Sequence, residues 1–200
     1  MTCIVDGRDT VTLTKSQLAR QERMLEVAST LARSGGFDAV QMRTVASEAD
    51  VALGTLYRYF PSKEHLLVSA MLRQIHDLAD QLAVRPPTGE SPAERLIDVL
   101  QRANNSLQHQ RNFTLAVVRA LASGDETVAP AVREVRVAMR TIILGAIGGE
   151  QSERDQLVGE ILEEVWLSAL VSWISGVDNA GSVTRKLIDA THLLLPGDGA

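Results

Sequence analysis

Apolar positions recur at three- and four-residue intervals along almost the whole chain, and no strand-length alternation of β-branched residues occurs. That pattern predicts an all-α fold. Residues 1–13 read as an unstructured tail. The first helix starts near Thr14, because Thr14-Lys15-Ser16-Gln17 has the form of a capping box. Its apolar stripe is Leu18, Leu25, Ala28, Leu31 and Ala32, and Gly35-Gly36 ends it. A short helix from about Met42 to Ala49, a turn, and another from Leu53 to Tyr59 follow, closed by Pro61. Ser62 caps a fourth helix running to about Val84, with Glu64 near its positive end. Arg85-Pro86-Pro87-Thr88-Gly89 is the clearest break in the chain. Five helices are expected beyond it. Ser91-Pro92 opens one to about Gln110, and others cover about Phe113 to Ala122, Glu126 to Ile147, Glu153 to Ser175 and Ser182 to Leu195. Gly124 and Gly148-Gly149 serve as stops.

Composition narrows the class. The chain has 200 residues, 45% of them hydrophobic, enough for a sizeable core. Its longest apolar runs, such as Ile142 to Leu144, are far too short for a membrane span. The N-terminus lacks a basic segment followed by an apolar one, so no secretion signal is expected. One cysteine, Cys3, excludes an intrachain disulfide and suits a reducing cytoplasm. The net charge is -5. Residues 1–85 carry ten basic and ten acidic side chains, so the whole negative excess lies beyond residue 85. The N-terminal part is neutral rather than basic, and charge alone would not point to nucleic acid.

Residues 42–63 read MRTVASEADVALGTLYRYFPSK. Val45, Ala46 and Ala49 can share a small core with Leu56 and Phe60. The second helix of the pair then exposes Leu53, Gly54, Thr55, Tyr57, Arg58 and Tyr59. Those residues offer a hydroxyl, a guanidinium, two phenols and an apolar contact to a major groove. Lys63, at the start of the next helix, is placed to meet a phosphate. Two short amphipathic helices and a turn also occur in many helical proteins with no DNA role, and Arg58 alone could be a solvated surface charge.

The stretch LGTLYRYFPSKEHLL, with VASEADV before it, resembles the signature of TetR-family repressors. The layout of nine helices with a break after the fourth is also similar. The longer stretch from Val40 to Ala70, together with VWLSALVSW at Val165 to Trp173, resembles the actinobacterial cholesterol-catabolism regulators of the KstR type. The resemblance implies a helix-turn-helix DNA-binding domain over 14–62 and a ligand-binding and dimerisation domain over 63–200. It implies a homodimeric repressor with no cofactor, a palindromic double-stranded DNA operator as partner, and an apolar or acyl-CoA effector, a steroid thioester among the candidates. Arg43 would reach a base edge, and Leu53, Gly54, Thr55, Tyr57 and Arg58 would face bases. Thr44, Tyr59 and Lys63 would hold phosphates. Two positions depart from the family pattern. Asp50 stands where the turn usually has Gly, and Ala52 where the recognition helix usually has a Ser cap. The first is tolerable in the left-handed region; the second costs roughly 1 kcal/mol.

The eighth helix is apolar on too wide an arc for one buried face. Leu157, Ile161, Val165 and Ser168 lie on one side, and Val158, Leu162, Trp166, Ala169 and Trp173 on another. Burial on two sides suits an intrachain core plus a partner subunit, although a wholly intrachain core is the alternative. Leu187 and His192 on the ninth helix join the expected dimer contact. For an effector, Asn104 and Arg119 are the candidate polar anchors, set among Leu100, Phe113, Val117, Met139 and Trp166. Equally, Asn104 could cap or solvate, Arg119 could pair with a carboxylate, and Trp166 could be plain core. His65, His76, His109 and His192 show no metal-ligand spacing. A helical enzyme or ligand carrier would need a nucleophile–base pair, a metal cluster or a phosphate loop, and the sequence offers none. An interaction adaptor with an incidental helix pair is the third possibility.

Overall fold

A computed structural model describes residues 14–195. The expected tail over 1–13, with Cys3, lies outside them. The described residues form α1 (Lys15–Ala39), α2 (Met42–Glu48), α3 (Leu53–Tyr59), α4 (Lys63–Val84), α5 (Pro92–His109), α6 (Arg111–Leu121), α7 (Ala129–Ile147), α8 (Glu153–Ile174) and α9 (Ala180–Leu194), with no strand among them. The ends follow from local chemistry. Thr14 accepts from the Gln17 N–H at 3.3 Å while the Gln17 side chain accepts from the Thr14 N–H at 2.7 Å, a complete capping box. Gly36, at φ 69, breaks the regular path of α1 where the glycine pair predicted its end. Several boundaries differ from expectation: α1 runs on past Gly36 to Ala39, and α6 starts at Arg111 rather than Phe113. Asn179 caps α9 and starts it at Ala180 rather than Ser182. The expected seventh helix begins as a separate 3-10 turn, Glu126–Val128, because the Asp125 carboxylate takes the Thr127 N–H at 2.9 Å and its hydroxyl at 2.7 Å.

Two apolar cores organise the chain. The first joins α1, α2 and α3 to the N-terminal half of α4, to α6 and to the start of α7. Phe60, Phe113, Met24, Leu56 and Leu67 are fully buried in it, each contributing on the order of 1.5–3 kcal/mol. The second joins the C-terminal half of α4 to α5, α7, α8 and α9. Leu18, expected in the stripe of α1, is instead 39% exposed. The first core, that of the N-terminal head formed by α1–α3, also draws on α6, so its packing extends well beyond residue 62.

Polar clamps fix the second unit. Arg95 of α5 donates to the terminal carbonyls of Ala146 and Ile147 at 3.1 and 2.8 Å, groups that a helix end leaves without partners. Arg140 of α7 binds Glu160 and Glu163 of α8 at 2.7 and 3.2 Å. The proline-rich connection after α4 is pinned by Thr88, whose N–H donates to Asp98 at 2.8 Å.

Candidate nucleic-acid interface

The α2–α3 pair is built from its turn outward. The Val51 N–H donates to the Ala46 carbonyl at 3.0 Å and the Asp50 N–H to the Ser47 carbonyl at 3.3 Å. Asp50 takes φ 52, the one positive value at a non-glycine among the described residues. The turn therefore survives without its usual glycine. Ala52 opens α3 with no side-chain cap. Buried Val45, Ala46, Leu56 and Phe60 hold α2 and α3 against the first core.

Burial of Leu56 and Phe60 decides which side chains of α3 point out. Tyr57 is 47% exposed, and Gly54 and Arg58 are also exposed. Leu53, Thr55 and Tyr59, expected to be exposed, are half-buried, because a two-turn helix seated on two anchors leaves one narrow free face. At the start of α2, Arg43 is exposed and Thr44 half-buried. A Cβ at Gly54 would meet nothing within 4 Å. The chain's own packing does not require glycine there, although glycine weakens a helix interior by about 1 kcal/mol relative to alanine. The Arg58 guanidinium lies 5.8 Å from the centre of the Tyr59 ring.

The entry to α4 flanks this face. Ser62 accepts from the His65 N–H at 3.1 Å. The Lys63 ammonium is turned to its own chain. It donates to the Phe37 carbonyl at 3.3 Å and sits 3.7 Å from the centre of the Phe37 ring. Burial pushes the His65 imidazole below its ordinary value, against an upward pull from the Asp125 charge. Hydrogen bonds from Thr127, then Ser62, hold the Asp125 carboxyl below the usual carboxylate range.

The seven expected effector residues do not converge. Leu100, Met139 and Trp166 lie in the second core, where Asn104, fully buried on α5, donates to the Thr184 hydroxyl at 2.8 Å. Phe113 and Val117 belong to the first core. Arg119 is a surface group, paired with Asp38 at 3.3 Å and 57% exposed. The physical reason is that α6 packs its apolar face into the head, which turns Arg119 away from the second core. Asn104 Oδ1, Trp166 Nε1 and His76 Nδ1 are buried without hydrogen-bond partners. Such atoms are uncommon in folded chains and call for an explanation. Between α5 and α9 a narrow crevice bordered by Leu100, Thr184 and Leu187 has no room for a water molecule.

The expected partner-facing side of α8 is largely open. Leu157 is 54% exposed, Ser168 is exposed, and Ile161 and Val165 are half-buried. Leu167, Val171 and Leu193, which sequence reasoning missed, extend the exposed apolar surface. Their alternation with Glu160 and Glu164 hid the continuity of that face. Leu187 corrects the expectation. It is 1% exposed and packs into the second core, so no partner can reach it. His192 is exposed. An open groove of about 480 Å³ runs between α8 and α9, lined by Glu164, Val165, Ser168, Lys186, Asp189 and Leu193. Among the described residues no cluster of His, Cys, Asp and Glu is placed to hold a metal, and no helix is long and apolar enough to cross a membrane.

Residues 24–70 match the model of the bacterial regulatory proteins, tetR family. Residues 89–194 match the model of a tetracyclin repressor-like C-terminal domain. The chain is 40% identical to the HTH-type transcriptional repressor KstR of Rhodococcus jostii, covering 92% of this chain and 86% of the relative. It is 36% identical to the KstR repressor of Mycobacterium tuberculosis, over 90% and 83% of the two chains. The crystal structure of a TetR transcriptional regulator from Rhodococcus sp. RHA1 superposes with a TM-score of 0.84 at 34% identity, covering 92% of this chain and 99% of that one.

Proposed function

The chain belongs to the TetR family of bacterial regulatory proteins, and from that premise we propose how it represses transcription. Two copies read a palindromic operator with α3 and let go when a small apolar effector enters the second core. The observation that carries this reading is the seating of α3. Leu56 and Phe60 are fixed inside the first core while Gly54, Tyr57 and Arg58 stand free on the opposite face. Tyr57 and Arg58 supply the groove with a phenol and a guanidinium, Gly54 lets the backbone approach closely, and Leu53 and Thr55 contact bases at the edge of the same face. Arg43 reaches a further base. Thr44, Tyr59 and Lys63 position the head on phosphates, which fix register without reading sequence.

A nearly neutral head gains little from charge alone. Joining two heads through α8 and α9 makes the second binding event intramolecular and gives the assembly the two-fold symmetry of a palindrome. The exposed Leu157, Leu167 and Val171, with half-buried Ile161 and Val165, supply the apolar surface for that contact. The effector is an apolar molecule with at least one polar group, an acyl-CoA thioester being one such class. Unpartnered Asn104 Oδ1 and Trp166 Nε1 inside an apolar core support that chemistry. Its entry would part α5 from α9. A differential affinity of about 1–3 kcal/mol for the released state lowers operator affinity about 5- to 150-fold. Operator binding places the protein with the DNA in the cytoplasm.

A gel shift against the DNA upstream of the chain's own coding sequence tests the reading. A retarded complex that survives excess competitor of random sequence is the expected result. Retardation abolished by that competitor, or absent at low salt, contradicts it.

A further inference from the structure

Phe37 follows directly on the Gly36 break and lies half-buried at the edge of the first core. Two cations from distant parts of the chain meet its ring. Lys63 Nζ, at the start of α4, is 3.7 Å from the ring centre, and Arg119 Cζ, near the end of α6, is 4.0 Å from it. An aromatic face is electron-rich and attracts cations. Both lie within cation–π range of the one ring. The Phe37 carbonyl adds a second hold on the same ammonium at 3.3 Å. Asp38 adds a second hold on the same guanidinium at 3.3 Å. Asn112, at the other end of α6, donates to the Arg33 carbonyl at 3.2 Å. Both ends of α6 therefore clasp the α1–α2 corner that carries Phe37.

Lysine is a compact charge on a flexible four-carbon stem. Its ammonium has three donors. The carbonyl takes one and the ring face engages the ammonium broadly, which leaves donor capacity for a phosphate. We propose that Phe37 is a positioning residue for operator binding: its ring and carbonyl hold the Lys63 ammonium ready for a DNA phosphate, and Arg119 on α6 sets where that ring stands. The proposal rests on the reading that Lys63 contacts a phosphate. It gives α6 a route to the DNA contact that bypasses the reading helix, since a shift of α6 moves Arg119, the ring and then the ammonium.

The experiment measures salt-dependent affinity for a duplex that the wild-type protein enriches from a random-sequence pool, with unfolding midpoints checked for every variant. Phe37→Leu keeps an apolar group but removes the electron-rich face. It should weaken binding about two- to fivefold and lower the magnitude of the log–log salt slope by up to about one. Phe37→Trp keeps the face and should bind like wild type. Arg119→Met should weaken binding in the same direction and be non-additive with Phe37→Leu. It also keeps the test open if Phe37→Leu fails to fold. Lys63→Gln separates the two claims. If it leaves affinity and slope unchanged, the phosphate reading itself fails. If it weakens binding while Phe37→Leu does not, Phe37 alone is overturned. Tighter binding by Phe37→Leu, or Phe37→Trp as weak as Phe37→Leu, also overturns the positioning role.

Discussion

The Ser62 hydroxyl lies 3.3 Å from the Thr127 hydroxyl, joining the N-cap of α4 to the 3-10 turn that precedes α7. One residue thus caps the helix beside the reading head and touches the connection between α6 and α7. Ser62→Ala should lower stability by about 1 kcal/mol through the lost cap, whereas Thr127→Ala removes the bridge and the hydroxyl's bond to Asp125 but leaves the cap. Chemical denaturation of both variants checks this. Equal losses would show that the cap is not the larger contribution.

The pH response follows from the same corner. Burial lowers the His65 imidazole more than Asp125 raises it, so the unfolded chain binds that proton more tightly. The stabilising contribution is complete above the unfolded value of about 6.5 and is lost as pH falls through the lowered folded value. Glu134 acts in the opposite sense. Burial raises its carboxyl, against the pull of His76, so its contribution grows as pH falls toward and through the raised value. Unfolding midpoints recorded from about pH 8 down to about pH 5 should decline less in His65→Gln than in wild type and more steeply in Glu134→Gln. Parallel curves for wild type and His65→Gln would contradict the assignment.

Ala52 leaves the recognition helix without a side-chain cap. Ala52→Ser should therefore stabilise the chain by about 0.5–2 kcal/mol. The gain should appear in urea unfolding and in slower hydrogen exchange at the amides of α3. No gain would mean that α3 is already held fully by Leu56 and Phe60.

The two leucines expected at the dimer contact should behave differently. Leu157 is more than half exposed, whereas Leu187 is inside. Leu157→Glu should shift sedimentation toward monomer and cost DNA affinity, with little change in secondary structure. Leu187→Ala should cost about 2–5 kcal/mol of stability. A Leu157→Glu protein that remains dimeric would remove α8 from the interface.

Asn104 has one amide group satisfied by Thr184 and its Oδ1 unpaired. Replacing both partners of a buried polar pair by apolar groups of similar shape is often neutral or stabilising. Asn104→Leu combined with Thr184→Val should hold or raise the melting temperature. A loss above about 2 kcal/mol would show that the pair of Asn104 and Thr184 holds α5 to α9.

Helix limits were legible because caps and breakers act locally. Thr14 with Gln17, Gly36, Pro61 and Ser62 each do in the structure what their neighbours in sequence imply. The positive φ at Asp50 and the missing cap at Ala52 were legible for the same reason. Periodicity shows that a face is buried but not what covers it. Phe113 and Val117 read like the apolar residues of α5 and α7, yet α6 turns them into the head and leaves Arg119 outside. Likewise, nothing local to Lys63 announces Phe37, which lies twenty-six residues away in sequence. Pairings of that kind depend on how helices cross, and a single sequence carries no direct sign of them.

The most direct measurement of operator reading is selection of duplexes from a random-sequence pool by the wild-type protein, followed by sequencing. A two-fold symmetric motif should emerge, with half-sites about one helical turn or more apart, and Tyr57→Ala should change the enriched half-site. A pool that stays random after repeated rounds, or a motif without symmetry, would contradict a dimeric operator-reading repressor.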